Sequence, residues 1–185
     1  KEGIHEVSEY IQLDFDVKIH GAGPQTVIKR SEDRSLESTI VNEQDKDQSI
    51  FLIGKDDPTD IVYGISIENI TFVGLEGQAA GTYGSMLNIR HNVNNGNSNT
   101  AFFKMDNLRF IGASDYVSSA SNTASGPNEM PIHIGYDELG LYQNITISNC
   151  YFNKVGYQKG VVYLNTNNTY RNISISNCTS THSID

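Results

Sequence analysis

The stretch ITISNCYF, residues 145–152, carries apolar residues at alternating positions on both sides of Asn149. Alternation is the pattern of a strand with one buried face, and here it occurs twice. The single asparagine between the two runs shifts the phase of the alternation, so the chain must bend there. Asparagine is the non-glycine residue that most readily adopts the left-handed conformation of such a bend. The stretch therefore predicts two short strands joined by an asparagine corner.

The same strand–asparagine–strand pattern occurs four times, and the corner asparagines are separated by 38, 42 and 28 residues. These unequal intervals exclude a strict solenoid such as a leucine-rich repeat, whereas loops of different length on a constant coil explain them. Stacked in successive coils, the asparagine side chains could hydrogen-bond along the axis as an asparagine ladder, and we expect them to be inaccessible. The copies are ISIENITFVG (65–74), FKMDNLRFIG (103–112), ITISNCYF (145–152) and ISISNCTS (173–180).

A third apolar segment recurs between these copies, at residues 50–54, 86–90, 131–135 and 161–165. A degenerate first coil precedes them, with strands at 10–15 and 17–20, Gly21 at the corner, and a further strand ending at Ile28. Three strands per coil predict an all-β parallel β-helix of about five coils, a single domain over residues 1–185. An antiparallel β-sandwich also has alternating strands and Gly- and Asn-rich turns, but it does not explain the recurrent asparagine.

Charge and hydropathy restrict the partners. The net charge is −9 without a Lys/Arg cluster, so counterion release would contribute little to nucleic-acid binding. No apolar run reaches the roughly 20 residues that a membrane span needs. The sequence therefore predicts neither nucleic acid nor membrane as a partner. Because a β-helix exposes strand edges at its ends, we expect a fragment of a longer chain, or a homo-oligomer or further coils that cover them.

These motifs resemble those of the pectin-lyase-like, right-handed parallel β-helix superfamily, which includes polysaccharide lyases, polygalacturonase-type hydrolases and phage tailspikes. The resemblance rests on GAGPQTVI at 21–28 and on the corners at Asn69, Asn107, Asn149 and Asn177, and it covers nearly the whole chain. It implies a right-handed coil, a polysaccharide or glycan partner, and a secreted or extracellular location on a cell surface or virion. The set of paired Asp, G-H-G and R-x-K motifs that the polygalacturonase-type hydrolases carry together is absent from this sequence, which argues against a hydrolase.

In this superfamily the substrate usually lies along the face of the third strand. Alternation places Asn88, His133 and Tyr163 on the outer side of that strand in neighbouring coils. With a nearby cation, such a column offers the base, the acid and the carboxylate neutralisation that β-elimination from a uronic acid requires. The residues assigned on this basis are His133, Arg90 and Tyr163 as catalytic, and Asn88, His91, Asn165 and Tyr136 as substrate-binding. Alternatively, the column consists of ordinary solvent-facing strand residues, or binds sugar without catalysis.

The sequence thus predicts a carbohydrate-interacting β-helix that binds or depolymerises a polysaccharide in a lyase-like manner, and whether it is an enzyme stays open. The alternative is a non-catalytic structural or adhesin-type tailspike module. No cofactor is certain, and no metal residue is assigned. Ca²⁺ could bind acidic loops, although the D-x-D-x-D-G calcium motif is absent. The acidic residues in question are Asp56, Asp57, Asp60, Asp137 and Glu138.

Two cysteines, Cys150 and Cys178, occupy the same place in adjacent copies of the repeat. Their Cα atoms should lie about 4.8 Å apart, one strand spacing. That separation is within the range of a disulfide, but two side chains that point the same way rarely reach the required torsion. We therefore expect stacked free thiols in the core.

Overall fold

The computed structural model describes residues 1–8, 10–13, 15–30, 49–53, 64–74, 85–89, 102–112, 131–135, 141–155, 160–165 and 168–181, without the side chains of Arg30 and Leu141. These residues form 16 strands, and every strand pair is parallel. Within the same ranges, no helix has the length and apolar character needed to cross a bilayer.

The strands fall into three sheets, which form the sides of a triangular prism. Sheet A contains β1 (Gly3–Val7), β4 (Thr26–Arg30), β7 (Thr71–Val73), β10 (Arg109–Ile111), β13 (Tyr151–Asn153) and β16 (Thr179–Thr181). Sheet B contains β2 (Ile11–Leu13), β5 (Phe51–Ile53), β8 (Leu87–Ile89), β11 (Ile132–Ile134) and β14 (Val162–Leu164). Sheet C contains β3 (Val17–His20), β6 (Ile65–Glu68), β9 (Phe103–Asp106), β12 (Leu141–Ser148) and β15 (Thr169–Ser176).

Successive strands visit the sheets in the order A, B, C, so β1 to β15 make five coils of three strands and β16 begins another turn. This confirms the predicted right-handed parallel β-helix. The first coil begins earlier than predicted, at β1, which pairs with β4. In β1 the usual alternation is inverted. The apolar Ile4 is 68% exposed on the outer side, whereas His5 takes an inward-facing position, because it is the register partner of Ile28, whose side chain packs on the core. A hydropathy pattern therefore could not reveal this strand.

The asparagine corners lie between sheets C and A. Asn69, Asn107, Asn149 and Asn177 all have left-handed backbones, with φ between 52° and 59°, which confirms the predicted bends. The ladder is shorter than expected: Asn107 Nδ2 donates to Asn69 Oδ1 at 2.6 Å, but Asn149 Nδ2 donates to Asp106 Oδ1 at 2.8 Å. A carboxylate is the stronger acceptor, so it displaces the neighbouring amide. The predicted inaccessibility is wrong for Asn107, Asn149 and Asn177, which are exposed.

A second pair of left-handed asparagines lies inside the two longest strands. Asn144 in β12 has φ 56° and Asn172 in β15 has φ 53°, and Asn172 Nδ2 donates to Asn144 Oδ1 at 3.1 Å. The strand register continues on both sides of this pair, so each asparagine marks a local bend within a strand rather than its end. The fold therefore contains a second asparagine ladder, made of these two residues, that the sequence pattern did not predict.

Gly21 replaces the corner asparagine in the first coil because of a close approach. A Cβ atom at this position would collide with the backbone oxygen of Asn69 and would lie 2.9 Å from Ile70 Cγ1. The amide of Gly21 also donates to the backbone oxygen of Glu68 at 2.9 Å, and this hydrogen bond holds the first two coils close together. No residue with a side chain fits there without a backbone shift.

The core is a set of side-chain columns parallel to the axis. In sheet A, the rings of Phe72 and Phe110 stack at 5.4 Å, those of Phe110 and Phe152 stack at 5.0 Å, and all three are buried. The cysteines are free, as predicted: Cys150 is buried and Cys178 is half-buried. Burial raises the pKa of the Cys150 thiol to about 12, so this thiol stays protonated and serves as a small core residue.

Replacement of Lys154 by glycine should stabilise the fold. Lys154 has φ 54°, in the left-handed region that favours glycine. A left-handed backbone costs a non-glycine residue about 1–2 kcal/mol, while glycine loses roughly 0.5–1 kcal/mol more backbone entropy on folding. Lys154→Gly should therefore raise the free energy of unfolding by about 0.5–1 kcal/mol in urea denaturation. A loss of stability would contradict the left-handed assignment.

Candidate functional site

The outer column of sheet B forms as the sequence predicted. Asn88 in β8, His133 in β11 and Tyr163 in β14 are register partners across the three strands. The rings of His133 and Tyr163 touch, with centroids 5.1 Å apart and planes inclined by 55°. We call these three residues the outer column. Their flanking residues Leu87 and Ile89 belong to the hydrophobic core, so the column points away from it.

The three residues of the outer column lie on the same side of sheet B but differ in the exposed fraction of their surface. Asn88 is 1% exposed and His133 is 6% exposed, whereas Tyr163 is only half-buried. Leu52, the register partner of Asn88 in β5, is also buried although it lies outside the core cluster. The alternative that the column consists of ordinary solvent-facing strand residues is therefore wrong for Asn88 and His133. Alternation distinguishes the two faces of a strand, but it carries no information on whether the outer face is covered.

Several predicted site residues lie outside the described ranges. These are Arg90, His91 and Tyr136, together with the acidic residues Asp56, Asp57, Asp60, Asp137 and Glu138 proposed for Ca²⁺. Asn165 directly follows β14 and is half-buried. Its backbone N–H donates to the backbone oxygen of Ile134 at 3.1 Å. Within the described ranges, no group of three His, Cys, Asp or Glu side chains is placed to hold a metal ion.

One polar atom of the outer column, Asn88 Oδ1, is buried without a hydrogen-bond partner in the part of the chain that the structure describes. The same holds for Oγ of Ser85, three residues earlier in the chain. Each such atom costs about 1–3 kcal/mol relative to a bonded one. Native proteins keep few of these groups, and those they keep call for a functional or structural reason. The amide of Asn88 is therefore the best indication of a ligand position in the column.

Tyr170, which the sequence did not predict, positions the end of this column. Its hydroxyl lies 2.8 Å from the backbone oxygen of Asn165 and 3.0 Å from that of Ile134, and the two oxygens share its single proton. Burial raises the pKa of the Tyr170 hydroxyl, so it remains a donor at neutral pH. Asn168 Nδ2 adds a hydrogen bond to the backbone oxygen of Gly135 at 3.0 Å. These contacts join the ends of β11 and β14 and so fix the chain beside Tyr163.

A second polar surface, on the outer side of sheet C, was also missed. Glu68 Oε1 lies 2.8 Å from Lys104 Nζ, and Glu68 Oε2 lies 3.3 Å from Lys18 Nζ and 3.5 Å from His20 Nδ1. Lys104 Nζ also lies 3.4 Å from Asp106 Oδ2. We call Lys18, Glu68, Lys104 and Asp106 the ionic face. It links three successive coils.

The pKa values show that the carboxylates of the ionic face are charged at neutral pH. The hydrogen bond from Lys104 is the main cause that lowers the pKa of Glu68 to about 2. Hydrogen bonds from Asn149 and Ser148 lower the pKa of Asp106, and the bond to Glu68 raises the pKa of Lys104. Neither carboxylate can act as the protonated general acid that glycoside hydrolysis needs. The ionic face therefore connects coils through ion pairs.

No family model, no curated protein and no solved structure matches this chain significantly. The parallel β-helix is established by its strands and register alone.

Proposed function

We propose that this chain is a carbohydrate-binding β-helix and that the outer column of sheet B takes part in binding an extended glycan. The unsatisfied Oδ1 of Asn88 carries the proposal, because a sugar hydroxyl is a donor of suitable size and polarity for a buried amide oxygen. The resemblance to the pectin-lyase-like superfamily supports the same partner and a secreted or extracellular location.

Tyr163 provides the accessible end of the binding surface. It is half-buried, and its ring is held against His133 at 5.1 Å. A sugar ring presents C–H groups that stack on an aromatic face, while its hydroxyls hydrogen-bond to adjacent amides. Asn165 follows two residues later and lies beside the Tyr170 hydroxyl. A glycan bound at Tyr163 would therefore meet the amide of Asn165 along the strand. It would reach Asn88, which lies two strands away and is 1% exposed, only by displacing the groups that cover this amide.

The test is a glycan-array screen followed by calorimetric titration of the best glycan. Asn88→Leu should weaken binding and also raise the free energy of unfolding by about 1–3 kcal/mol, because it removes an unsatisfied buried oxygen and keeps the branched shape of the side chain. Tyr163→Ala should weaken binding about tenfold or more, and Tyr163→Phe should retain most of it, since stacking needs only the ring. A purely structural Asn88 would lose stability in Asn88→Leu.

Tyr151→Ala is the matched control, because Tyr151 lies on the outer side of sheet A and its ring is stacked under Arg109 at 5.2 Å from the guanidinium carbon. It should bind the glycan like the wild type. If no glycan binds the wild type, or if Tyr163→Ala and Tyr151→Ala bind equally well, the proposed site is wrong.

A lyase-like enzyme is the second candidate, favoured by the contact between His133 and Tyr163. An imidazole base and a phenol acid in contact are the pair that β-elimination from a uronic acid would use. Incubation with a panel of uronic-acid polymers should then generate unsaturated products that absorb in the ultraviolet, and His133→Ala should abolish them. An unchanged absorbance across the panel would remove the lyase and leave the binding proposal intact.

A further inference from the structure

The two cysteines form a column of their own at the corner between sheets C and A. Each directly follows a corner asparagine, and Cys178 lies one coil after Cys150. The strands on both sides of this corner pair in register, β12 with β15 in sheet C and β13 with β16 in sheet A. The Cα atoms of the two cysteines are therefore held one strand spacing apart, at about 4.8 Å.

The two thiols also have the same orientation. Cys150 Sγ donates to the backbone oxygen of Ser148 at 3.2 Å, and Cys178 Sγ donates to that of Ser176 at 3.3 Å. Because each thiol makes the same contact within its own coil, the sulfur atoms should also lie about 4.8 Å apart. Cys178 Sγ further lies 3.9 Å from the backbone oxygen of Ile147, so it faces the coil of Cys150. Burial is the main cause that raises the pKa of Cys150, and the neighbouring Cys178 thiol adds to it.

This separation does not suit a disulfide but suits an ion between the two sulfur atoms. A disulfide needs sulfur atoms about 2.05 Å apart and a torsion of about 90°, and parallel side chains on stacked coils provide neither. A metal–thiolate bond is about 2.3 Å long, as for zinc, so two such bonds in a line span about 4.6 Å. That length matches the expected spacing of the stacked thiols.

We infer that Cys150 and Cys178 form a two-coordinate site for a soft metal ion, Cu(I) or Hg(II), which binds in a line between two coils of the prism. Thiolates are the ligands that soft ions select. Structural zinc needs four ligands, and the described ranges contain no group of three His, Cys, Asp or Glu side chains that could supply them. Each bound ion forms two metal–sulfur bonds and releases the two thiol protons to solvent, without a change of oxidation state.

The charge of the site distinguishes the two ions. Cys150 is 2% exposed, so a net charge beside it would be poorly solvated. Two thiolates and Hg(II) form a neutral unit, whereas two thiolates and Cu(I) keep one net negative charge. The site therefore favours Hg(II) on grounds of charge, and Cu(I) must compensate for the desolvation through its bonds to sulfur.

The test is an anaerobic titration of the reduced chain with Cu(I) against a colorimetric Cu(I) chelator, and separately with Hg(II), followed by ultraviolet thiolate-to-metal absorption. The wild type should bind one ion per chain. Cys150→Ala and Cys178→Ala should each weaken binding by more than about 100-fold, since removing a ligand costs at least as much as removing its supporting contacts. Because two protons leave, the apparent association constant for Cu(I) should rise about 100-fold per pH unit around pH 7, against about tenfold for a single thiol.

Thr179→Ala is the control, because Thr179 is exposed on the outer side of sheet A and directly follows Cys178. It should bind both ions like the wild type, and circular dichroism verifies that every variant folds. A wild type that binds neither ion more tightly than the single-cysteine variants do, or that binds two ions per chain, overturns the inference. An intramolecular disulfide after incubation with oxidised glutathione, detected as a mass loss of two hydrogens, would also overturn it, because the sulfur atoms would then approach far closer than the linear site requires.

Discussion

Replacement of Phe110 by alanine is expected to lower the free energy of unfolding by about 3–5 kcal/mol. Phe110 is fully buried and lies between two other rings, 5.4 Å from Phe72 and 5.0 Å from Phe152. Removing its ring leaves a cavity with aromatic walls on both sides. Since backbone hydrogen bonds fix the coils above and below, the cavity can collapse only partly. For a chain of this length the loss corresponds to a decrease in Tm of about 6–20 °C.

Phe102→Ala is the matched control for this prediction, because Phe102 stands in the same stretch of chain with 44% of its surface exposed. The same chemical change there should alter the free energy of unfolding by less than about 1 kcal/mol. Urea denaturation of both variants at neutral pH gives the comparison. Equal losses in the two variants would mean that the stacked column does not dominate the stability of sheet A.

The corners of the fold were predictable because each is a local signal. A residue that shifts the phase of alternation must bend the chain, and asparagine does so in four of the five coils, at Asn69, Asn107, Asn149 and Asn177. The strand β1 was not predictable in this way, since its exposed Ile4 and inward-facing position His5 invert the usual hydropathy. An alternating hydropathy pattern reveals a strand only when its inward-facing residues are apolar and its outward-facing residues are polar.

The sequence predicted which residues of the candidate site are register partners, but it did not predict how deeply they are buried. Alternation within the third strand of each coil places Asn88, His133 and Tyr163 in one column, and this holds. Their burial depends on what covers the outer face of sheet B, and no feature of the strand itself encodes that. The ionic face was missed for another reason: Glu68 and Asp106 precede corner asparagines in two coils, but serine takes their place in the next two. Only the stacked register shows that they form a network.

The ionic face should make stability depend on pH in the acid range. Glu68 has an ordinary pKa of 4.5 that folding lowers to about 2, so the folded state favours its charged form. A depressed carboxyl pKa contributes stability that is present above pH 4.5 and is lost as the pH falls towards 2. The full linkage free energy is about 3 kcal/mol. We expect about 1–2 kcal/mol, because solvent screens the partly exposed lysines that stabilise the charge.

The measurement is the free energy of unfolding of the wild type and of Glu68→Gln from neutral pH to pH 3. The difference between the two proteins should be largest at neutral pH and should shrink steadily below pH 4.5, because protonation of Glu68 removes the same charge as the substitution. Glu6→Gln is the control, since Glu6 pairs with Lys29 at 2.9 Å but remains 55% exposed. Its difference from the wild type should stay small throughout the range. A Glu68→Gln curve parallel to that of the wild type would mean that the ion pairs across sheet C contribute nothing to holding the coils together.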